Sequence, residues 1–154
     1  KYIHDTKSNT QFLKRDANLA LKMMWAEFFK VFWKKINVVS AYRSYSYQKG
    51  IKQRWCPDNL CAKPWFSEHQ SGLAVDLWEA TTNKIFMSNT ELVKYYNWLD
   101  TNAHKYGFHN TYQKGLEIDW YEIEPWHWRY LWVQLAKELK KEKITIAEYY
   151  KNNR

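Results

Sequence analysis

Ser67-Glu68-His69-Gln70-Ser71-Gly72-Leu73-Ala74-Val75-Asp76-Leu77 decides how this chain of 154 residues is read. Glu124-Pro125-Trp126-His127-Trp128-Arg129-Tyr130 answers it further along. Each stretch pairs an imidazole with a carboxylate. His69, Asp76 and His127 suit a zinc ion, because a catalytic zinc commonly takes three N/O protein ligands and keeps a fourth position open. Glu124 is the spare carboxylate and is placed to act as a base on water.

Spacing alone does not bring these groups together. Side chains alternate along a strand, so residues seven or three apart on a flat strand face opposite ways. His69 and Asp76 share a site only if the chain bends between them, and Gly72 permits that bend. Pro125 gives Glu124 and His127 a similar break. A His beside a hydrophobic run is by itself more often packed than ligating. Two such clusters in one small domain shift the balance toward a metal.

The first stretch reads Ser-x-His-x-x-Gly-x-Ala-x-Asp and the second Glu-x-x-His. Together they resemble the LAS group of zinc D-Ala-D-Ala carboxypeptidases, which trim peptidoglycan stem peptides, and most closely its VanY/LdcB type. Ser40-Ala41-Tyr42-Arg43-Ser44-Tyr45 with Gln48 resembles the substrate-binding segment of that family, and Tyr106-Gly107-Phe108 matches a fourth motif. The resemblance runs over roughly residues 16–132. It implies one zinc per chain held by His69, Asp76 and His127, with Glu124 as the base that activates the zinc-bound water. It further implies Arg43 as the clamp for the substrate's terminal carboxylate, since a guanidinium meets a carboxylate with two parallel hydrogen bonds. Gln48 and Ser67 would line the site. Trp126 would floor the pocket or simply pack.

Three segments depart from the family pattern. Thr111-Tyr112-Gln113 stands where Arg-Tyr-Pro is usual. Asp119-Trp120-Tyr121 stands for Thr-Gly-Tyr, and Leu131-Trp132 for Val-Gly. They leave the metal set intact and bear on the shape of the cleft. The reaction implied is D,D- or L,D-carboxypeptidase cleavage of the terminal D-alanine. Alternatives on the same scaffold are a VanX-like dipeptidase and a peptidoglycan endopeptidase. A non-catalytic wall-binding domain with a structural zinc is a further alternative, and Glu124 argues against it, because such a site needs no base.

Composition sets the outer bounds. The length suits one domain, 1–154, with a real core. Hydrophobic residues make up 45% of the chain, which excludes a disordered one. Ten Trp and twelve Tyr read either as large packing rings or as a groove for sugars or peptides. The net charge of +8 favours polyanions. With no nucleic-acid motif, that means an anionic wall or membrane surface, or simply a solvated basic face. A monomer is expected. Cys56 and Cys61 read as a disulfide closing a short loop, with free thiols the alternative. A disulfide implies an extracytoplasmic location. No apolar run is long enough to span a membrane, and no export signal is present. The start at Lys1 reads as a mature or trimmed form, with any exporting segment outside it.

Periodicity predicts an α+β domain, with helices on a small, mostly antiparallel sheet. Residues 1–15 read as a lead-in. Ala17, Leu21, Met24, Trp25, Phe28 and Phe32 mark a helix from Asp16, its N-cap, to about Lys35. A strand is expected over 38–42, a short helix over 47–55, a loop over 56–66 and a strand over 73–78. Ser88 and Glu91 suggest a capping box for a helix that stops near Gly107. A strand is expected over 116–123, with 129–133 extending it. Two helices follow, over 133–141 and from a second capping box at Thr145.

Overall fold

A computed structural model describes residues 2–3, 11–54, 56–78 and 81–153. A two-stranded ribbon of β1 (Tyr2–Ile3) and β2 (Gln11–Phe12) replaces the predicted lead-in. Helix α1 (Arg15–Phe32) follows. Ala17, Leu21, Met24 and Phe28 are buried along its predicted stripe, while Trp25 lies at the exposed edge. Its N-cap is Lys14, and Asp16 sits in the first turn, where a carboxylate complements the helix dipole.

The remaining elements are β3 (Val38–Ser40), α2 (Tyr45–Gln53), β4 (Ala74–Leu77), α3 (Asn83–Ser88), α4 (Thr90–Asn102), β5 (Phe108–Asn110), α5 (Leu116–Asp119), β6 (His127–Tyr130), α6 (Trp132–Glu142) and α7 (Ile146–Asn152). Strands β3, β4, β6 and β5 form one antiparallel sheet in that spatial order. Strand β4 is buried at all four residues. It sits inside the sheet, with α1 and α4 supplying the core partners Met24, Phe28, Tyr95 and Leu99. Leu131, Leu139 and Ile146 make a smaller cluster under α6 and α7. The expected α+β architecture with a small antiparallel sheet is the one observed.

Two local expectations are corrected. Residues 116–123 contain no strand. Gly115 (φ 80°) turns the chain, the Asp119 carboxylate accepts from the Lys114 amide (2.7 Å), and the short helix α5 forms instead. The weak alternation there reflects a turn with apolar residues on its outside. The strand lies in the second motif itself, as β6. The capping box at Ser88 is also absent: Ser88 ends α3, and the Asn89 side chain caps α4 by accepting from the amides of Glu91 (3.0 Å) and Leu92 (3.1 Å). An Asn side chain reaches orphan amides as well as Ser does. Neither the pattern of apolar residues nor the turn residues announced α3 or β5.

Gly107 stops the helical stretch as expected. Its φ is 83°, and a Cβ there would lie 2.7 Å from the Tyr130 ring and 2.9 Å from the Trp132 carbonyl carbon. The close approach brings β5 onto β6, with Phe108 opposite Tyr130.

Replacing Asn89 with alanine should destabilise the protein by about 1 kcal/mol in chemical denaturation, and Ser88→Ala by less than about 0.5 kcal/mol. Equal losses, or a larger loss at Ser88, would restore the Ser88 cap.

Candidate metal centre and active-site cleft

The sheet brings the two motifs together. Asp76 on β4 faces His127 on β6 in the antiparallel register. His69 enters from a 3-10 turn over Glu68–Ser71 that ends at Gly72, with φ 70°. That left-handed residue makes the bend the sequence required, and β4 begins two residues later. One ligand atom each from His69, Asp76 and His127 lies within 4.8 Å of the others, and all three residues are buried.

The free ring nitrogens are fixed by their neighbours. His69 Nδ1 is 2.6 Å from the Ala41 carbonyl. A carbonyl only accepts, so Nδ1 carries the proton and Nε2 faces Asp76 Oδ2 at 3.2 Å. Burial pushes His69 toward the neutral form that a metal needs. His127 Nε2 donates to Glu68 Oε2 (2.9 Å), which leaves Nδ1 against Asp76 Oδ1 (2.9 Å). The donor set therefore fits a zinc ion: two imidazole nitrogens and a carboxylate converge, and both rings are held from behind.

Glu68 is the functional residue that motif reading missed. Its buried carboxylate accepts from His127 Nε2, from Arg129 Nη1 (2.6 Å) and from Thr111 Oγ1 (2.8 Å). Burial opposes its charge, but the bonds from His127 and Arg129 outweigh it and bring the pKa down to about 2. Burial likewise opposes charge on His127, yet bonds to Asp76 and Glu68 raise its pKa to about 10. A metal on Nδ1 must therefore displace a proton. The signal available in sequence was an acid beside a candidate ligand, together with Arg129 two residues beyond His127.

Glu124 stands across the cleft, its carboxylate 4.0 Å from His127 Nδ1. Burial raises its pKa to about 7, and the nearby carboxylates of Asp76 and Glu68 add to the rise. Its backbone is fixed: the Glu124 amide donates to the Tyr112 carbonyl (3.0 Å), and the Asn110 side chain donates to the carbonyls of Glu124 (2.8 Å) and His127 (2.6 Å). Tyr112 stacks on the His127 ring at 4.8 Å.

The cleft holds about 280 Å³ and is lined by Arg43, Ser67, His69, Asp76, Glu124, Trp126 and His127 among others. Arg43 Nη2 donates to Asp76 Oδ2 (2.6 Å) and Nε to Ser40 Oγ (2.9 Å). Trp126 both lines the cleft and packs on Phe86, with ring centroids 6.1 Å apart. Gln48 is placed differently from the expectation. It is buried behind the cleft wall, where its Nε2 donates to the Ala62 carbonyl (2.7 Å), and it does not line the cleft. Cys56 and Cys61 form the expected disulfide, with Cα atoms 5.7 Å apart, and both line the cleft. Their loop is tied toward Glu124 by Asn59, whose Nδ2 donates to Glu122 Oε1 (2.9 Å).

A His/Asp/His cluster beside a buried carboxylate and an arginine defines a candidate metallopeptidase site. Residues 10–133 match the family described as VanY: D-alanyl-D-alanine carboxypeptidase, and the chain belongs to that family. The putative carboxypeptidase YodJ of Bacillus subtilis (strain 168) is 33% identical over 162 residues, covering 97% of this chain and 58% of that protein. The chain thus spans less than two thirds of this relative's length. The solved structure of the LdcB LD-carboxypeptidase superposes with a TM-score of 0.77 at 31% identity, covering 97% of this chain and 77% of the other. A Zn(II) complex of the vancomycin-resistance D,D-pentapeptidase VanY shares the fold, with a TM-score of 0.73 at 23% identity over 97% of this chain and 89% of the other.

Glu68→Gln keeps the shape but removes the charge that orients His127. Zinc affinity, measured by competition with a chromophoric chelator, should fall by roughly 10- to 100-fold. Unchanged affinity would show that Glu68 does not support the ligand.

Proposed function

We propose that this chain is a zinc-dependent D,D- or L,D-carboxypeptidase that removes the C-terminal D-alanine from peptidoglycan stem peptides. The observation that carries the reading is Glu124: a buried carboxylate with a pKa of about 7 in the same cleft as the His69/Asp76/His127 cluster. A purely structural metal would leave such a group without a task. The LdcB LD-carboxypeptidase and the Zn(II) complex of VanY support the substrate class and the metal by kinship.

His69 Nε2, the Asp76 carboxylate and His127 Nδ1 would hold one zinc per chain, whose positive charge would polarise the scissile carbonyl and acidify water. The protein's own groups do the rest. Glu124 takes the proton from the attacking water and passes it to the leaving amine, which suits a carboxyl whose pKa lies near neutrality. Arg43 answers the substrate's terminal carboxylate. Its Nε and Nη2 are engaged by Ser40 and Asp76, which fixes the guanidinium plane at the cleft, and Nη1 takes part in neither bond. Ser67 and Trp126 shape the wall. The disulfide and the wall substrate favour an extracytoplasmic setting, and the net charge of +8 favours an anionic wall.

The direct experiment incubates purified stem peptides with the protein, with and without a chelator, and follows them by mass spectrometry. Loss of one terminal alanine, blocked by the chelator and restored by zinc, is expected. Cleavage inside the stem would assign an endopeptidase instead.

Glu124→Gln should retain zinc and lower kcat by about 10²- to 10⁴-fold. In the wild type, kcat/KM should rise with pH and level off once Glu124 is ionised. The bound cation lowers the carboxyl's pKa, so the plateau begins at or below about pH 7. A rate that falls as pH rises from about 5 to 7 would exclude an ionised Glu124 as the base.

Arg43→Ala should lower kcat/KM by about 10- to 100-fold, since a charged hydrogen bond contributes roughly 1.5–3 kcal/mol. Amidating the peptide's C-terminus should harm the wild type by a similar factor and the variant hardly at all. Equal cleavage of free and amidated peptides by the wild type would remove Arg43 as a carboxylate clamp.

A further inference from the structure

Among the described residues, the left-handed region of backbone space is occupied by three glycines, Gly72, Gly107 and Gly115, by Lys143, and by five tryptophans. The tryptophans are Trp33 (φ 53°), Trp65 (77°), Trp78 (58°), Trp120 (62°) and Trp132 (59°). In this region Cβ crowds the following carbonyl. Glycine escapes the clash and Asn or Asp tolerates it, whereas a bulky aromatic is an outlier. A single outlier would point to a strained functional residue. Five of one type, spread over the whole chain, share no site.

Each of the five occupies a place where the backbone does the work. Trp33 closes α1, its amide donating to the Phe29 carbonyl (2.8 Å), and Trp120 closes α5 on the Leu116 carbonyl (3.1 Å). Helices commonly end on a left-handed residue, and that residue is usually glycine. Trp78 turns the chain directly after β4, its amide on the Asn37 carbonyl (2.9 Å). Trp65 lies in the turn before Ser67, its amide on Gln70 Oε1 (2.7 Å). Trp132 follows β6 at the close approach to Gly107.

Four of the five rings stand largely in solvent, whereas the Trp78 ring is buried against Phe28 and Tyr95. Trp33, Trp65, Trp120 and Trp132 are 77%, 77%, 71% and 54% exposed. Trp128 behaves otherwise: its backbone is ordinary, its ring is buried, and its Nε1 donates to the Pro125 carbonyl (3.0 Å). Composition points the same way. The chain has ten Trp and only four Gly, where about 7% glycine is usual. The family patterns that the sequence resembles carry glycine at 120 and 132, where Trp interrupts them.

We infer that residues 33, 65, 78, 120 and 132 are glycine positions of this fold, and that the cell that makes the protein inserts glycine at them. The route is the codon UGA. It is a stop in the standard code, but some bacteria decode it as tryptophan and others as glycine. UGG, the ordinary tryptophan codon, then accounts for the tryptophans that the fold uses, Trp126 and Trp128 among them. The exposed indoles beside Ser67 and Tyr121 consequently form no platform for sugars or peptides, and the two departures at 120 and 132 disappear.

Two measurements test this. Peptide mass spectrometry of the protein isolated from its source should find glycine at the five positions and tryptophan at 126 and 128, with UGA and UGG as the respective codons. Tryptophan at the five positions in the isolated protein would overturn the inference. Independently, the recombinant tryptophan-containing chain should gain stability when Trp33, Trp65, Trp120 and Trp132 are changed together to glycine, with Tm rising by at least about 5 °C. The matching alanine variant removes the same rings but keeps a Cβ at positive φ, so it should melt below the glycine variant. An alanine variant equal to or above it would show that the rings, not the backbone, matter, and would contradict the assignment. Trp78, whose ring stacks on Tyr95 at 5.0 Å, is left to the mass measurement.

Discussion

The antiparallel pairing of β4 with β6 is the constraint on which the site depends. Its register sets Asp76 opposite His127, and the two side chains meet at 2.9 Å. Strand side chains alternate, so a slip of one residue would turn Asp76 or His127 to the other face and dismantle the cluster. The register is held by burial: Ala74, Val75 and Leu77 on β4 and Trp128 and Tyr130 on β6 are all enclosed. The core that stabilises the domain thus also aligns its chemistry. His69 is added from outside the sheet by the turn at Gly72, and Glu124 by the turn before β6.

Burying so many ionisable groups would be costly if they were unpaired. Here they form two linked sets. Glu68 is neutralised by Arg129 and His127, and Asp76 by Arg43, His127 and His69. Removing one member would leave a buried charge without a partner, which is why such groups act as a unit. Glu124 lies outside both sets. Desolvated and without an arginine of its own, it keeps a raised pKa, whereas Glu68 and Asp76 are held low. Two classes of carboxylate separated by environment suit the two tasks that the proposed mechanism assigns, holding and proton transfer.

Much of this could be read from the sequence. The stripe from Ala17 to Phe28 and the capping box at Thr145 are local patterns, and both appear in the structure. Residues His69, Asp76, Glu124 and His127 converge in the cleft because their motif carries its own bend at Gly72. The parts that escaped are non-local. Glu68 sits next to a candidate ligand in sequence, but its role follows only from contacts with Thr111, His127 and Arg129, far along the chain. Gln48 resembled a cleft residue, yet it faces the back of the loop it braces. The strand expected over 116–123 failed because alternation over a few residues does not distinguish a strand from a turn whose Asp119 caps it. The tryptophans left two readings open, packing rings or a binding groove, and only the backbone angles of five of them point to positions suited to glycine.

The central claim is that β4, β6 and the turn at Gly72 build a zinc site with His127 turned by Glu68. A crystal structure with anomalous data collected on both sides of the zinc absorption edge tests it most directly. The account predicts one zinc peak bounded by His69 Nε2, the Asp76 carboxylate and His127 Nδ1, with His127 Nε2 still on Glu68 and Glu124 uncoordinated. Absence of a peak in zinc-replete crystals, or a zinc bound through His127 Nε2 or the Glu68 carboxylate, would contradict it.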